Sequence, residues 1–194
     1  MPKTILIIQG HPDPARGHLC HTLADAYAEG AEKAGHTVLR IEVSSLDFPL
    51  MRSQQDFLHS GLPDGLAEAG AALMKAEHVA IFFPIWHGTM PAFFKGFWEQ
   101  ILRPGFAFSY QDRGFPAGHL TGRSARVVVT MGMPALAFRL WFLDAGLAVL
   151  RNNMLRFTGM GPVRATRLGM VEGASEARRQ GWLEKMRTLG AAAR

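Results

Sequence analysis

The sequence predicts an α/β protein, a three-layer sandwich in which helices cover both faces of a five-stranded parallel sheet. Short apolar runs alternate along the chain with longer segments of helical spacing. No linker rich in Gly, Pro or Ser and no repeat divides the 194 residues, so we expect a single domain over residues 1–194. With 48% hydrophobic and 19% charged residues, the chain has the composition of a globular protein with a substantial core.

Five apolar runs are predicted as strands. The first is short and β-branched, and the third is the most apolar, as expected of strands buried inside a parallel sheet. The predicted strands are 4–9, 37–43, 78–84, 125–131 and 162–168.

Helices are predicted between these strands. Gly35 marks the end of the first helix, and Pro91 opens the third at a position where its missing N–H is tolerated. The predicted helices are 19–34, a helix within 61–77, 91–102, a long apolar helix over 134–152, and 175–189.

The alternation of strands and helices places three loops at one edge of the sheet. Crossover connections make the sheet parallel, and five such strands suit the flavodoxin-like order 2-1-3-4-5. In sheets of this kind, ligands bind beyond the carboxyl ends of the strands, where the strand order reverses. Loops 10–18, 84–90 and 130–134 follow the first, third and fourth strands, so we expect the functional site there.

The first loop has the features of an anion site. It joins a buried strand to the amino terminus of a helix, where backbone N–H groups and the helix dipole favour anions. His11, Arg16 and His18 add side-chain donors for a phosphate. The loop has no GxGxxG or Walker motif, and a plain turn is the alternative. A metal site is a further alternative, because several potential ligands lie close together in the sequence. They are His11, Asp13, His18, Cys20 and His21. We do not expect a metal, because their spacing matches no standard zinc pattern.

The second and third loops carry groups suited to a flat heterocycle. Trp86 offers an aromatic face, and the amides around His87 and Gly88 offer donors to a polar rim. In the third loop, the backbone N–H groups and the Thr130 hydroxyl are expected to bond the edge of the same ring. For the second loop, the alternative is a buried tryptophan beside a capping turn. For the third loop, the alternative is an ordinary strand-to-helix turn.

An aromatic segment over residues 103–123 separates the third helix from the fourth strand. Its length and its glycines suggest a functional or interface element, for which we predict a hairpin that covers a ring-binding site as a lid.

Charge and cysteine content limit the partners and the compartment. The net charge is +5, and fourteen of the 21 Lys and Arg residues lie in residues 101–194. These residues are scattered, and no run of basic residues is interleaved with aromatic ones. We therefore expect a phosphorylated small molecule as the partner and no nucleic acid.

Three features of the sequence favour the cytoplasm. The first strand is too short for a signal peptide, no apolar stretch could span a membrane, and Cys20 is the single cysteine.

At these loops the sequence resembles the NAD(P)H:quinone oxidoreductase family, a flavodoxin-like group. The group includes bacterial NAD(P)H dehydrogenases, modulators of drug activity and potassium-efflux ancillary proteins. The resemblance covers about residues 4–185. Its matching segments are 8–14 (IQGHPDP), 23–27 (LADAY), 83–86 (FPIW), 88–92 (GTMPA), 95–97 (KGF) and 104–108 (PGFAF).

The resemblance implies a homodimer with a tightly bound flavin, FMN or FAD, at each of two sites. It implies two-electron, ping-pong transfer from NAD(P)H to a quinone-like acceptor. Residues that fall at the family's flavin phosphate are His11, His18, Leu19 and Cys20. Those that fall at the flavin ring are Pro84, Ile85, Trp86, His87 and Gly88, with Thr130, Gly132 and Met133 at its polar edge.

Several residues depart from the family pattern. The family commonly has Ser-Phe-Asn where this chain has His18-Leu19-Cys20, and often has Trp in place of His87. Members of the family carry a tyrosine near Phe138 that helps to stabilise the reduced flavin, and phenylalanine has no hydroxyl for that role. Our hypothesis is that His87 fills it in part, since an imidazole exchanges protons near neutral pH. A purely shape-forming role for His87 is the alternative.

Two other functions are compatible with the sequence. The chain could be a redox-sensing regulatory subunit that docks on a membrane transporter, or a nitro- or azo-reductase. The sequence does not separate FMN from FAD, or NADH from NADPH.

Overall fold

A central sheet of five parallel strands organises the chain. The structure, a computed structural model, describes residues 1–194. The spatial order of the sheet is β2-β1-β3-β6-β7, which is 2-1-3-4-5 when these five strands alone are numbered, so the predicted order is confirmed. Its strands are β1 (Thr4–Gln9), β2 (Thr37–Glu42), β3 (His78–Pro84), β6 (Ser124–Met131) and β7 (Val163–Gly169); β4 (Phe108–Ser109) and β5 (Ala117–Gly118) form a separate antiparallel pair.

Helices cover both faces of this sheet. On one face α1 packs against α7, and the other face carries α3, α4 and the segment that follows α6. The α-helices are α1 (Leu19–Lys33), α2 (Gln54–His59), α3 (Ala67–Lys75), α4 (Ala92–Ile101), α5 (Ala135–Leu140), α6 (Ala145–Ala148) and α7 (Glu176–Ala191); Val43–Ser45 and Asp64–Leu66 are 3₁₀ turns, and Val149–Arg156 is π-helical.

The alternation of side chains in β1 explains why the core has two halves. Leu6 and Ile8 are buried in one hydrophobic cluster, and Ile5 and Ile7 are buried in the other. Successive side chains of a strand point to opposite faces, so one short β-branched run supplies both layers. Each such side chain contributes roughly 1.5–3 kcal/mol when fully buried.

The prediction of one continuous helix over 134–152 is wrong, because the helix is interrupted. Leu143 and Asp144 have positive φ angles of 53° and 54°, which interrupt the helix between α5 and α6. The Asp144 carboxylate is largely buried, and its Oδ1 lies 2.7 Å from Nε of Arg167 on β7. The break therefore lies beside an ion pair that joins this segment to β7.

Two other segments differ from the sequence-based expectation. The helix α2 was not predicted; the Ser53 side chain caps it by accepting the N–H of Asp56. Segment 103–123 does form a hairpin, but it follows the far end of α4 and leads into the start of β6. It therefore lies at the amino ends of the strands and does not cover its own chain's carboxyl-edge loops.

None of the helices combines the length and the apolar character that crossing a bilayer requires.

Helix α6 packs directly against the turn that follows β3. A Cβ atom built on Gly146 would lie 2.0 Å from the carbonyl oxygen of Gly88. Contact this close is possible only for glycine, so Gly146 fixes the position of the turn.

We expect Gly146→Ala to destabilise the protein by about 1–3 kcal/mol, because the added methyl group forces two backbone segments apart. Urea unfolding measures this loss. Gly181→Ala is the matched control: Gly181 is an exposed residue of α7 with nothing near its Cβ position, so the substitution should be neutral or stabilising. Equal stability of the two variants would show that the α6 contact does not constrain the turn.

Candidate functional site

The carboxyl ends of β1, β3 and β6 meet, as predicted, and their loops are joined by backbone hydrogen bonds. The Gly10 N–H donates to the Phe82 carbonyl at 2.7 Å, and the Ile85 N–H donates to the Thr130 carbonyl at 2.8 Å. The loops 10–18, 84–90 and 130–134 therefore begin from one fixed edge.

Asp13 is the centre of the first loop. Its backbone N–H lies 3.1 Å from Nδ1 of His11, and its carbonyl oxygen lies 3.2 Å from Nε2 of His21. One carboxylate oxygen is 2.9 Å from Nε2 of His18, and the other accepts the N–H of Ala15 at 2.9 Å. Three imidazoles thus converge on one residue, whose pKa is lowered mainly by the Ala15 N–H and also by His18.

The imidazoles also contact one another and the second loop. The rings of His11 and His18 stack with centroids 3.9 Å apart, and the ring of His11 meets Trp86 edge-on at 5.9 Å. His11 is mostly buried, and burial lowers its pKa, with smaller contributions from the neighbouring His18 and His21. The proton on His11 is therefore held less tightly than on a free imidazole.

The amino terminus of α1 points its free donors into the same place. His18 is the N-cap and makes no side-chain cap, and the N–H groups of Leu19 and Cys20 have no acceptor within the chain. Unpaired N–H groups at the start of a 15-residue helix favour an anion.

Two buried polar atoms beside this loop also lack partners. Gln9 is 1% exposed and its Nε2 makes no hydrogen bond, and the same holds for Nδ1 of His21, which is 2% exposed. Gln9 accepts the N–H of His11 with its Oε1, so its amide is held at the end of β1 with donors to spare. Such atoms are costly unless another group satisfies them.

The second loop is a tight two-residue turn. Trp86 and Thr89 exchange backbone hydrogen bonds of 2.8 and 3.0 Å, with His87 and Gly88 at φ angles of 47° and 80°. The indole of Trp86 is 46% exposed, and the His87 side chain is exposed. The N–H groups of His87 and Gly88 have no acceptor within the chain.

The third loop differs in part from the prediction. The Thr130 hydroxyl lies 3.1 Å from Sγ of Cys20 and is buried, so it is turned away from the edge that it was expected to serve. Burial raises the pKa of the Cys20 thiol to about 12, which keeps it protonated. The N–H groups of Gly132 and Met133 have no acceptor within the chain and remain available.

Arg16 also differs from its expected place. Its guanidinium is 3.6 Å from Asp25 and 3.8 Å from Glu42, and the side chain is two-thirds exposed. Acidic neighbours thus hold it on the outer side of the loop. The other predicted residues lie at the common edge: Pro84 ends β3 opposite Thr130, and Ile85 is bonded to that residue.

Sequence reasoning missed the role of Asp13, His21 and Gln9. Asp13 and His21 entered only as metal ligands, and no group of His, Cys, Asp or Glu side chains has the geometry to hold a metal ion. The signal for Asp13 was its place two residues after His11 in a Pro-rich loop, where an Asp side chain commonly bonds the backbone two residues on.

An apolar cavity of about 260 Å³ lies away from this edge. It is near the far end of α4, and Trp98, Leu102, Phe108 and Phe157 are among its lining residues. None of its lining residues belongs to the three loops.

Comparison with known proteins supports one family. An FMN-dependent NADH:quinone oxidoreductase of Nitratidesulfovibrio vulgaris is 31% identical over 144 residues, which are 66% of this chain and 68% of that protein. The NAD(P)H:quinone oxidoreductase of Methanothermobacter marburgensis superimposes with a TM-score of 0.86 at 21% identity, covering 100% of both chains. An FMN-dependent NADH-azoreductase from Bacillus anthracis, solved with FMN, superimposes at 0.76 and 16% identity, covering 99% of each chain.

These two structures are similar in fold alone. The profile of the flavodoxin-like fold family matches residues 3–189, nearly the whole chain. The fold, the strand-edge loops and this match together establish that the chain belongs to the flavodoxin-like family, the group that its sequence resembles.

Proposed function

We propose that this chain is a flavin-dependent NAD(P)H oxidoreductase that reduces quinones or similar aromatic acceptors in a two-electron, ping-pong reaction. One observation carries the proposal: unpartnered N–H groups from three loops, three imidazoles and a half-exposed tryptophan converge on one edge of the sheet. A phosphorylated, flat, polar-rimmed ring system matches each of these groups. The relative from Nitratidesulfovibrio vulgaris, named as an FMN-dependent NADH:quinone oxidoreductase, supports this function.

FMN fits the residues better than FAD. The phosphate would be held by the free amides of Leu19 and Cys20, with His11 and His18 beside them. The ring would lie against the turn of Trp86, His87 and Gly88. The name of that relative specifies FMN, and no residue of the site indicates a place for an adenine.

The protein would position and protect the ring, while the bound flavin supplies the hydride chemistry. Trp86 offers an aromatic surface beside His11, which excludes water from one side. The free N–H groups of Gly132 and Met133 would hold the polar edge of the ring, and fixed donors of this kind would stabilise negative charge on it. The glycine contact of α6 holds the turn for this task.

The decisive experiment is binding and reduction of FMN. Apoprotein mixed with FMN should retain one flavin per chain through gel filtration, and anaerobic NADH or NADPH should bleach its visible absorbance. Added benzoquinone should restore the colour by a two-electron reaction. A protein that retains no flavin at saturating concentration would refute the proposal; faster turnover of an azo dye than of quinones would keep the enzyme class and change the acceptor.

His87 is proposed to exchange a proton with the reduced cofactor, a role for which the resemblance implies a tyrosine near position 138. Its imidazole is exposed at the edge, and its φ of 47° is a conformation that Asn tolerates better than most residues. We therefore expect His87→Asn to keep the turn and the FMN affinity but to slow anaerobic flavin reduction about tenfold or more. His59→Asn, on exposed α2, is the control. Unchanged stopped-flow rates would leave His87 with a shape-forming role.

A homodimer is proposed because the surface beside the site is strongly apolar. The exposed fractions of Leu136, Leu140, Trp141 and Leu143 are 65, 64, 83 and 76%, all on α5 and the break after it. Exposed apolar patches of this kind commonly mark interfaces.

A cytoplasmic location is proposed as well, and the single, buried Cys20 supports it.

We expect light scattering to give twice the mass of one chain, and Leu140→Asp to give monomers by placing a charge in the interface. Met74→Asp, at an exposed apolar residue of α3 outside this patch, should leave the mass unchanged. A wild-type monomer would contradict the dimer and leave the patch for the alternative partner, a membrane transporter.

A further inference from the structure

The cluster around Asp13 contains partners for both charge states of its imidazoles. Nδ1 of His11 lies 3.1 Å from the Asp13 N–H and 3.3 Å from the Asp13 carbonyl oxygen. Neutral His11 can accept from the N–H, and protonated His11 can donate to the carbonyl. The ring therefore gains or loses its proton without losing its position.

His18 and His21 have acceptors for a second proton in the same way. Nε2 of His18 faces the Asp13 carboxylate at 2.9 Å. Nε2 of His21 faces the Asp13 carbonyl at 3.2 Å, and its unpartnered Nδ1 lies 3.5 Å from Glu42 Oε2. Each of these rings thus has a carboxylate oxygen within 3.5 Å.

The other charged groups near the cluster are carboxylates and guanidinium groups. Asp13 and Glu42 are carboxylates, and Asp25 is paired with Arg16 and Arg40 on the outer side. The Cys20 thiol, with its raised pKa, stays neutral. Trp86 and Thr130, which approach from β3 and β6, do not titrate there. His87 in the next turn is the remaining imidazole and makes no contact with the cluster within hydrogen-bond distance.

We infer that Asp13 is a positioning residue that holds three imidazoles around the flavin phosphate, and that binding of the phosphate dianion takes up a proton from solution. This inference rests on the proposed function, because it concerns how the flavin is held. Asp13 itself would not touch the phosphate; it acts through His11, His18 and His21.

The direction of the coupling follows from the charges. In the free protein, burial and two neighbouring imidazoles lower the pKa of His11, so that ring is neutral at pH 7. A dianion beside it offsets both effects and favours the imidazolium form. A site that binds a proton together with its ligand binds that ligand more tightly as pH falls, by up to about tenfold per pH unit for each proton. The gain stops near pH 6, where the phosphate itself takes up a proton.

The test compares two flavins that differ only in the phosphate. Apoprotein is titrated with FMN and with riboflavin, following flavin fluorescence, at about pH 6.5 and about pH 8.5. We expect FMN to bind at least about tenfold more tightly at the lower pH, with riboflavin affinity unchanged across the same range. Unbuffered FMN titrations followed by a pH electrode should record proton uptake directly.

Variants separate positioning from general charge. Asp13→Asn keeps an oxygen for the Ala15 N–H and all the backbone contacts, but removes the carboxylate that faces His18. It should weaken FMN binding and flatten its pH dependence, while riboflavin binding is kept as the sign of a folded ring site. Asp25→Asn, an acidic residue of α1 paired outside the cluster, should keep the wild-type pH dependence.

The outcomes distinguish the two proposals. If neither flavin binds at any pH, the proposed function fails. If FMN binds with an affinity that does not change between the two pH values and no proton is taken up, the function stands and the present inference is overturned. Equal pH dependence of the Asp13 and Asp25 variants would overturn the role of Asp13 even where the wild-type protein takes up a proton.

Discussion

The parallel register of β1, β3 and β6 is the constraint on which the rest of the structure depends. It brings three strand ends to one edge, and the bonds from Gly10 to Phe82 and from Ile85 to Thr130 continue that register into the loops. The buried apolar runs on both faces stabilise the register, because a slip of one residue would turn each side chain to the wrong layer. Unpaired donors on the loops are tolerable only at such an edge, where solvent or a ligand can reach them.

Much of the fold follows from local sequence. The five strand runs and the signals at Gly35 and Pro91 specify the elements to within a few residues, since each depends on side chains a short distance away. The break at Leu143 and Asp144 could not be found in this way. It coincides with an ion pair between Asp144 and Arg167, which are 23 residues apart, and local sequence patterns do not reveal an ion pair between two separate elements.

The location of the candidate site could be predicted from the sequence, but several of its side-chain contacts could not. The rule for strand ends located all three loops, and the resemblance assigned residues to them. The roles of Arg16 and Thr130 came out differently because partners elsewhere compete for them: acidic side chains of α1 and β2 hold the guanidinium, and Cys20, 110 residues away, pairs with the hydroxyl. Asp13 was overlooked as a centre because its contacts to His11 and His21 use its backbone, which residue type does not reveal.

The departures from the family pattern have a common physical meaning. Where the family pattern that the sequence resembles implies a serine and an asparagine, this chain has His18 and Cys20, with His21 directly after them. Hydroxyl and amide groups donate at every ordinary pH, whereas an imidazole changes charge close to neutrality. Cys20 turns inward to Thr130 and leaves its backbone N–H at the helix terminus. Fixed donation from the helix and variable charge from the imidazoles would then act on the same anion, and under the inference above the affinity for a phosphate would depend on pH while the backbone geometry of the loops would not.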